Sequence, residues 1–285
     1  MRISKTSILG KIMFQSCFRI SKHFAALSAL VAFAPAAVAE EGHNDALVFD
    51  NGSGQVQLGQ IDVDCFSGVG APGCNPNAIL NTVYEGELLE AGSPLTGNAA
   101  EPGFFAIPSG GESSLPGGAS ILPSNAAHTI DLVLAPNSPV AGASVLYWDG
   151  TGGSASWSAM PNAEYFVISG INATSGTLTG TNEVTGIELA STASNGSFDT
   201  HPDFQLFGNS GTVDPSIGFY ALFGRSNIAG LTPSDPWAAV FDFGVENEPL
   251  HEMAADSVAG FLPEPSVSLL MGIGLLGLTR AGRRA

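Results

Sequence analysis

Short runs of alternating apolar and polar residues recur along the middle of the chain. Residues 55–65 and 128–136 are two such runs, and further runs of strand length follow between residues 143 and 244, most of them ending at a glycine. A period of two places successive side chains on opposite faces of a strand. The pattern therefore predicts an all-β body, a β-sandwich or jelly-roll-like fold with long loops.

The composition supports many turns and few helices. The chain of 285 residues contains 36 glycines and 18 prolines, and residues 93–125 are rich in Pro, Gly and Ser, which is typical of loops. The one helical pattern is LHEMAADSVAGFL, at residues 250–262. We therefore expect a β-sandwich ectodomain over residues 40–250 and a short C-terminal stalk helix over residues 251–262.

The first 39 residues have the composition of a secretory signal peptide. A basic stretch that ends at Lys22 precedes an apolar run at residues 24–38, and Ala37-Val38-Ala39 forms a small-x-small cleavage site for signal peptidase. The apolar run is shorter than the roughly 20 residues that a membrane-spanning helix needs. The sequence therefore predicts export, with the mature chain beginning at Glu40.

Export determines how the cysteines are interpreted. Cys17 leaves with the signal peptide, and Cys65 and Cys74 enclose eight residues that include three glycines and a proline. A turn-rich loop of this length can bring two Cα atoms to about 5.5 Å, the separation that a disulfide needs. An oxidising compartment preserves such a bond. We predict a Cys65–Cys74 disulfide.

The chain ends in a short apolar run followed by arginines. Residues 267–279 form 13 apolar or small residues, which span about 20 Å as a helix. The hydrocarbon core of a bilayer is roughly 30 Å thick, so this single hydrophobic tail helix is a weak anchor. The arginines that follow it favour a cytoplasmic C-terminus, which leaves the body facing outward.

Residues 263–285 resemble the PEP-CTERM sorting signal of Gram-negative bacteria. The likeness consists of a Pro-Glu-Pro tripeptide, a hydrophobic helix and a terminal arginine cluster, in that order. The residues that carry it are Pro263, Glu264, Pro265, Arg280, Arg283 and Arg284. The resemblance implies recognition by an exosortase, transient residence in the inner membrane, and delivery to the cell surface or an exopolysaccharide matrix. It implies no activity for the body.

The body is strongly acidic. Residues 40–262 hold 25 of the 26 acidic residues and one basic residue, Arg225, which gives a formal charge of −24. Such a surface repels nucleic acid and other polyanions, so we expect no nucleic-acid partner. Three explanations stay open: association with a matrix through Ca²⁺, adaptation to a saline habitat, and solubility alone.

Two sets of residues are candidate metal ligands. Asp62 and Asp64 flank one residue of a predicted strand, so their carboxylates share a face, and Ca²⁺ is the cofactor that they would take. His43 and His201 are each followed by an aspartate two residues later, which suggests a shared zinc or copper site. The alternative for both sets is ordinary solvated surface.

The aromatic residues of the middle strands suggest a sugar-binding face. Tyr147 and Trp148 are neighbours in a predicted strand, so they point to opposite faces, and Trp157 follows in the next run. An outward-facing ring beside acidic groups can stack on a sugar, whereas an inward-facing ring packs in the core.

Together these features predict an exported, non-catalytic surface or matrix protein that binds polysaccharide or Ca²⁺. No nucleophile elbow, P-loop or complete zinc-protease helix is present in the sequence. Two alternatives stay open. One is an extracellular carbohydrate-active hydrolase with paired carboxylates, and the other is a metal-binding surface protein that uses His43 and His201.

Overall fold

The computed structural model describes residues 45–61, 79–161 and 163–263, all within the unit Gly42–Ala285. The predicted signal peptide and most of the predicted sorting signal lie outside this part of the chain. So do His43, Asp62, Asp64, Cys65, Cys74, Glu264, Pro265, Arg280, Arg283 and Arg284.

The described residues are mostly β-strand, which confirms the all-β part of the predicted fold class; the predicted tail helix lies outside the described residues. Seventeen strands, numbered in chain order, lie in three sheets, together with one α-helix. Sheet I has five strands. In spatial order they are β14 (Phe198–Thr200), β7 (Phe104–Ala106), β1 (Ala46–Asp50), β2 (Val56–Gln60) and β3 (Ile79–Leu80).

Sheet II has seven strands and is the most buried. Five of them, in order, are β10 (Ser158–Ala159), β9 (Val145–Trp148), β16 (Gly218–Ile228), β17 (Trp237–Phe243) and β4 (Val83–Glu87). The remaining two are β8 (Ala127–Leu132), which pairs with β16, and β13 (Val184–Ser191), which pairs with β8.

Sheet III has five strands. In order they are β12 (Ser175–Leu178), β11 (Tyr165–Ser169), β15 (Asp203–Phe207), β6 (Thr96–Ala99) and β5 (Leu89–Ala91). Two single turns of 3₁₀-helix, Glu112–Ser114 and Asn209–Gly211, lie in the connections.

The main hydrophobic core draws side chains from all three sheets. Phe104 comes from sheet I, Trp237 and Phe241 come from sheet II, and Phe166 and Phe204 come from sheet III. A second core lies on the opposite face of sheet II, where helix α1 (Glu248–Ala259) covers it. Because sheet II is covered on both faces at β17, all seven residues of that strand are buried.

Helix α1 differs in two ways from the predicted stalk helix at residues 251–262. It begins earlier, because the Asn247 side chain caps it by accepting a hydrogen bond from the Leu250 backbone N–H, and Pro249 suits the first turn. It also packs against sheet II through Ala254 and Val258 instead of extending from the body. Within the described ranges, no helix has the length and apolar character needed to cross a membrane.

Candidate metal centre

Two chain crossings between sheets I and III lie side by side at one corner of the body. The first leads from β6 to β7 and the second from β14 to β15, and the strands that they join are themselves paired, β6 with β15 and β7 with β14. Strand β1 runs parallel to β7, and the Ala46 N–H donates to the Gly103 carbonyl at 2.8 Å. The start of β1 therefore lies at the same corner.

Three potential metal ligands meet there. Asp45 directly precedes β1, Glu101 lies in the β6–β7 connection, and His201 lies in the β14–β15 connection. One donor atom from each side chain lies within 4.8 Å of the other two. Nδ1 of His201 is 3.2 Å from Oε1 of Glu101, while Oε2 of Glu101 accepts a hydrogen bond from the Gly103 N–H at 2.8 Å.

The Asp45 carboxyl group is buried without adequate compensation. The residue is only 5% exposed, and among the described residues its Oδ1 has no hydrogen-bond partner. Burial raises the pKa of Asp45 to about 6, and the neighbouring Glu101 carboxylate acts in the same direction. A buried carboxylate in this state is stabilised by a proton or by a cation.

The outer side of the cluster is more open. The side chains of Glu101 and His201 are 30% and 38% exposed, and Nε2 of His201 is 3.4 Å from Oδ1 of Asp199 on β14. Asp199 also lines an apolar surface groove with Phe105 and Phe198. The cluster therefore has a buried inner ligand and a solvent-accessible outer side.

Gly103 leaves room at the centre of the cluster. A Cβ added there would overlap Oδ1 of Asp45 and would lie 2.7 Å from Nδ1 of His201. The backbone at this position does not have a positive φ, so its conformation does not require glycine. Glycine is required here because Oδ1 of Asp45 and Nδ1 of His201 lie too close for any side chain at this position.

The sequence predicted part of this cluster. His201 was predicted as a ligand, and Asp45 is the aspartate two residues after His43. The structure thus combines the aspartate of the first His-x-Asp pair with the histidine of the second. Asp203, the aspartate of the second pair, is exposed on β15 instead. Glu101 was missed, because its role arises only when two distant connections cross.

Two of the three predicted sugar-stacking aromatics are buried and cannot stack on a sugar. Trp148 and Trp157 are 1% and 8% exposed, and the Trp157 Nε1–H donates to Oγ of Ser257 on α1 at 2.7 Å. Tyr147 is partly buried against the main core, and its hydroxyl donates to the Ile217 carbonyl. The prediction is wrong for both tryptophans, because both pack in the second core beneath α1.

The carboxylates at this corner do not fit glycoside hydrolysis. That chemistry places two carboxyl groups roughly 5–10 Å apart on either side of a sugar. The carboxyl groups of Asp45 and Glu101 lie within hydrogen-bonding reach of each other, and Asp45 is buried. A sugar ring therefore cannot lie between them.

No protein-family model matches the chain, and comparisons with curated proteins and with solved structures gave no significant match.

Proposed function

We propose that the chain is an exported, non-catalytic protein of the cell surface or extracellular matrix, with a β-sandwich ectodomain. Its N-terminal leader would be removed by signal peptidase. Its C-terminal signal would hold it transiently in the inner membrane until an exosortase processes it. The β body is then the part that is delivered.

The observation that carries this proposal is the burial of the last described residues of the chain. Leu262 is 8% exposed and belongs to the second core beneath α1, whereas Pro263 is exposed. Pro263 is also the first residue of the sequence that resembles a sorting signal. A protease acting at or after Pro263 would therefore leave all the described core residues in the delivered protein.

The charge of the body suggests its partner. With one arginine among 25 acidic residues, residues 40–262 repel acidic polysaccharides unless cations intervene. A matrix of exopolysaccharide, bridged to the surface carboxylates by Ca²⁺, is compatible with this charge. The same charge disfavours nucleic acid as a partner.

Fractionation of cells tests the proposal. We compare the full chain with a chain that ends at Leu262, which keeps every described residue of the second core, and with a variant in which Arg280, Arg283 and Arg284 are all glutamine. We expect the full chain in the surface or matrix fraction, and the shortened chain in the periplasm or the medium. The arginine variant should remain unprocessed. Identical partitioning of all three forms contradicts the proposal.

A further inference from the structure

We infer that Asp45, Glu101 and His201 bind one divalent transition-metal ion of the zinc type, beside the Cα atom of Gly103. The inference does not depend on where the protein is delivered. It assigns the metal to a different set of residues from the His43–His201 pair that the sequence suggested.

The inner ligand, Asp45, carries a charge that no lysine or arginine of the body neutralises. Asp45 is nine-tenths buried, and its Oδ1 accepts no hydrogen bond from any described residue. The body has no lysine, and its one arginine, Arg225, lies on β16 opposite Asp131 of β8. Since no Lys or Arg is available, the Asp45 carboxylate is left with a proton, a protonated His201 or a metal ion to neutralise it, and the donor geometry favours the metal ion.

The spacing of the donor atoms suits a tetrahedral ion. Zinc bonds of about 2.1 Å place tetrahedral ligands about 3.4 Å apart. The distance from Nδ1 of His201 to Oε1 of Glu101 is 3.2 Å, close to that edge. Oδ1 of Asp45 and Nδ1 of His201 both approach the point where a Cβ of residue 103 would lie. The ion is therefore expected next to that point.

The His201 imidazole has a carboxylate on its outer side. Nδ1 lies 3.3 Å from the Ala100 carbonyl oxygen, a contact that metal binding would replace. If Nδ1 binds the ion, Nε2 carries the proton and faces Oδ1 of Asp199, 3.4 Å away. Histidines that bind metals usually donate their second N–H to a carboxylate or a carbonyl, which fixes the tautomer and the direction of the ring. Asp199 is thus a positioning residue that is not itself a ligand.

The donor types determine the class of ion. One imidazole nitrogen and two carboxylates suit Zn²⁺ and its first-row neighbours. Ca²⁺ takes six to eight oxygen ligands and makes little use of histidine. The exposed side of His201 and Glu101 leaves space for a water molecule as a further ligand. We therefore expect Zn²⁺ to bind far more tightly than Ca²⁺.

Calorimetry with ZnCl₂ and with CaCl₂ tests the assignment on the purified, exported protein after treatment with a chelator. The variants are His201→Ala, Gly103→Ala and Asp199→Asn. Gly117→Ala is the matched control, since a Cβ at Gly117 meets no atom within 4 Å. Circular dichroism establishes that each variant is folded. The absorption spectrum of bound Co²⁺ reports the coordination geometry.

We expect one Zn²⁺ per chain and affinity at least about tenfold lower in His201→Ala and Gly103→Ala. Gly117→Ala should bind like the original protein. Asp199→Asn should lose about tenfold in affinity and alter the Co²⁺ spectrum, which a purely structural role would leave unchanged. The inference is overturned if the original protein binds no stoichiometric Zn²⁺, or if Gly103→Ala binds as well as Gly117→Ala. Should Gly103→Ala fail to fold, a Zn²⁺ affinity in His201→Ala equal to that of the original protein overturns the inference in its place.

Discussion

The body contains no lysine, so its buried carboxylates must be stabilised in other ways. The carboxylate of Glu164 is stabilised by hydrogen bonds. Its Oε1 accepts from the Ser216 N–H at 2.8 Å and from the Ser216 hydroxyl at 2.7 Å, while Oε2 accepts from the Tyr220 hydroxyl at 2.8 Å. Three donors thus satisfy this carboxylate inside the protein. The contrast with Asp45, whose Oδ1 has no such donor among the described residues, is why we assign a metal to the latter.

We predict that Glu164→Gln destabilises the protein. The amide has one acceptor oxygen where the carboxylate has two, so its NH₂ group would face a donor from Ser216 or Tyr220. The expected cost is about 1–3 kcal/mol in the free energy of unfolding. Urea denaturation measures it. Glu183→Gln is the control, because Glu183 is exposed and accepts the Leu134 N–H at the surface. Equal stability of the two variants contradicts the prediction.

A buried histidine makes the stability depend on acid. His128 on β8 is fully buried between the rings of Phe104 and Phe198, and neither of its ring nitrogens has a partner among the described residues. Burial lowers the pKa of His128 from 6.5 to about 3. Between these values the unfolded chain binds a proton that the folded chain does not, so stability falls as the pH drops below 6.5.

We predict that His128→Phe removes this dependence. Between pH 6.5 and about pH 3, the free energy of unfolding of the original protein should fall by about 1.4 kcal/mol for each pH unit because of His128. The difference in stability between the two proteins isolates this effect, because other titrating groups are common to both. Denaturation at about pH 7, 6, 5 and 4 measures it. A difference that does not change with pH contradicts the prediction.

At the scale of elements, α1 covers a carboxylate of sheet II. Asp242 on β17 is buried beneath this helix, and its Oδ1 lies 3.9 Å from Nδ1 of His251. The other ring nitrogen of His251, Nε2, donates a hydrogen bond to the Val240 carbonyl at 3.0 Å. Burial raises the pKa of Asp242 to about 6, although His251 opposes this, and the nearby carboxylates of Glu87 and Glu248 act in the same direction as burial.

The raised pKa of Asp242 predicts that docking of α1 weakens as the pH rises. The stabilisation is present below pH 3.8 and is lost as the pH rises through 6, where the folded protein must ionise this buried group. Asp242→Asn should therefore gain about 1–3 kcal/mol over the original protein between about pH 4 and pH 8. The exposed Asp235→Asn serves as the control. Urea denaturation of each protein at about pH 4 and at about pH 8 measures this change in the free energy of unfolding. The prediction is contradicted if Asp235→Asn gains as much stability between these pH values as Asp242→Asn does.

The elements show what a period-two pattern can and cannot reveal. In β8 the buried residues alternate, as the sequence predicted, because one face of that strand is partly open. In β17 every residue is buried, since Trp237 and Phe241 enter the main core while Ala238 and Val240 face α1. The sequence therefore predicted strands correctly. It could not show that the main core covers one face of β17 and that α1 covers the other. The buried position of Trp148 follows from that covering.

At the scale of the whole molecule, the all-β class followed from short-range patterns, whereas the candidate site did not. Asp45, Glu101 and His201 are far apart in the sequence and meet because two crossings between sheets I and III are adjacent. Strand pairing between distant segments is not encoded in the spacing of any one motif. His201 could be suspected from its chemistry, but Glu101 could be found only from the fold.

We propose that the β body is delivered to the cell surface or the extracellular matrix. The N-terminal leader would direct its export, and the C-terminal signal would direct its sorting. The most direct test is the intact mass of the protein recovered from the surface or matrix fraction, with sequencing of both termini. We predict an N-terminus at Glu40 and a C-terminus at or just after Pro263, with the arginine cluster missing. Recovery of the protein from the cytosol, with Met1 and Ala285 both present, would contradict this account.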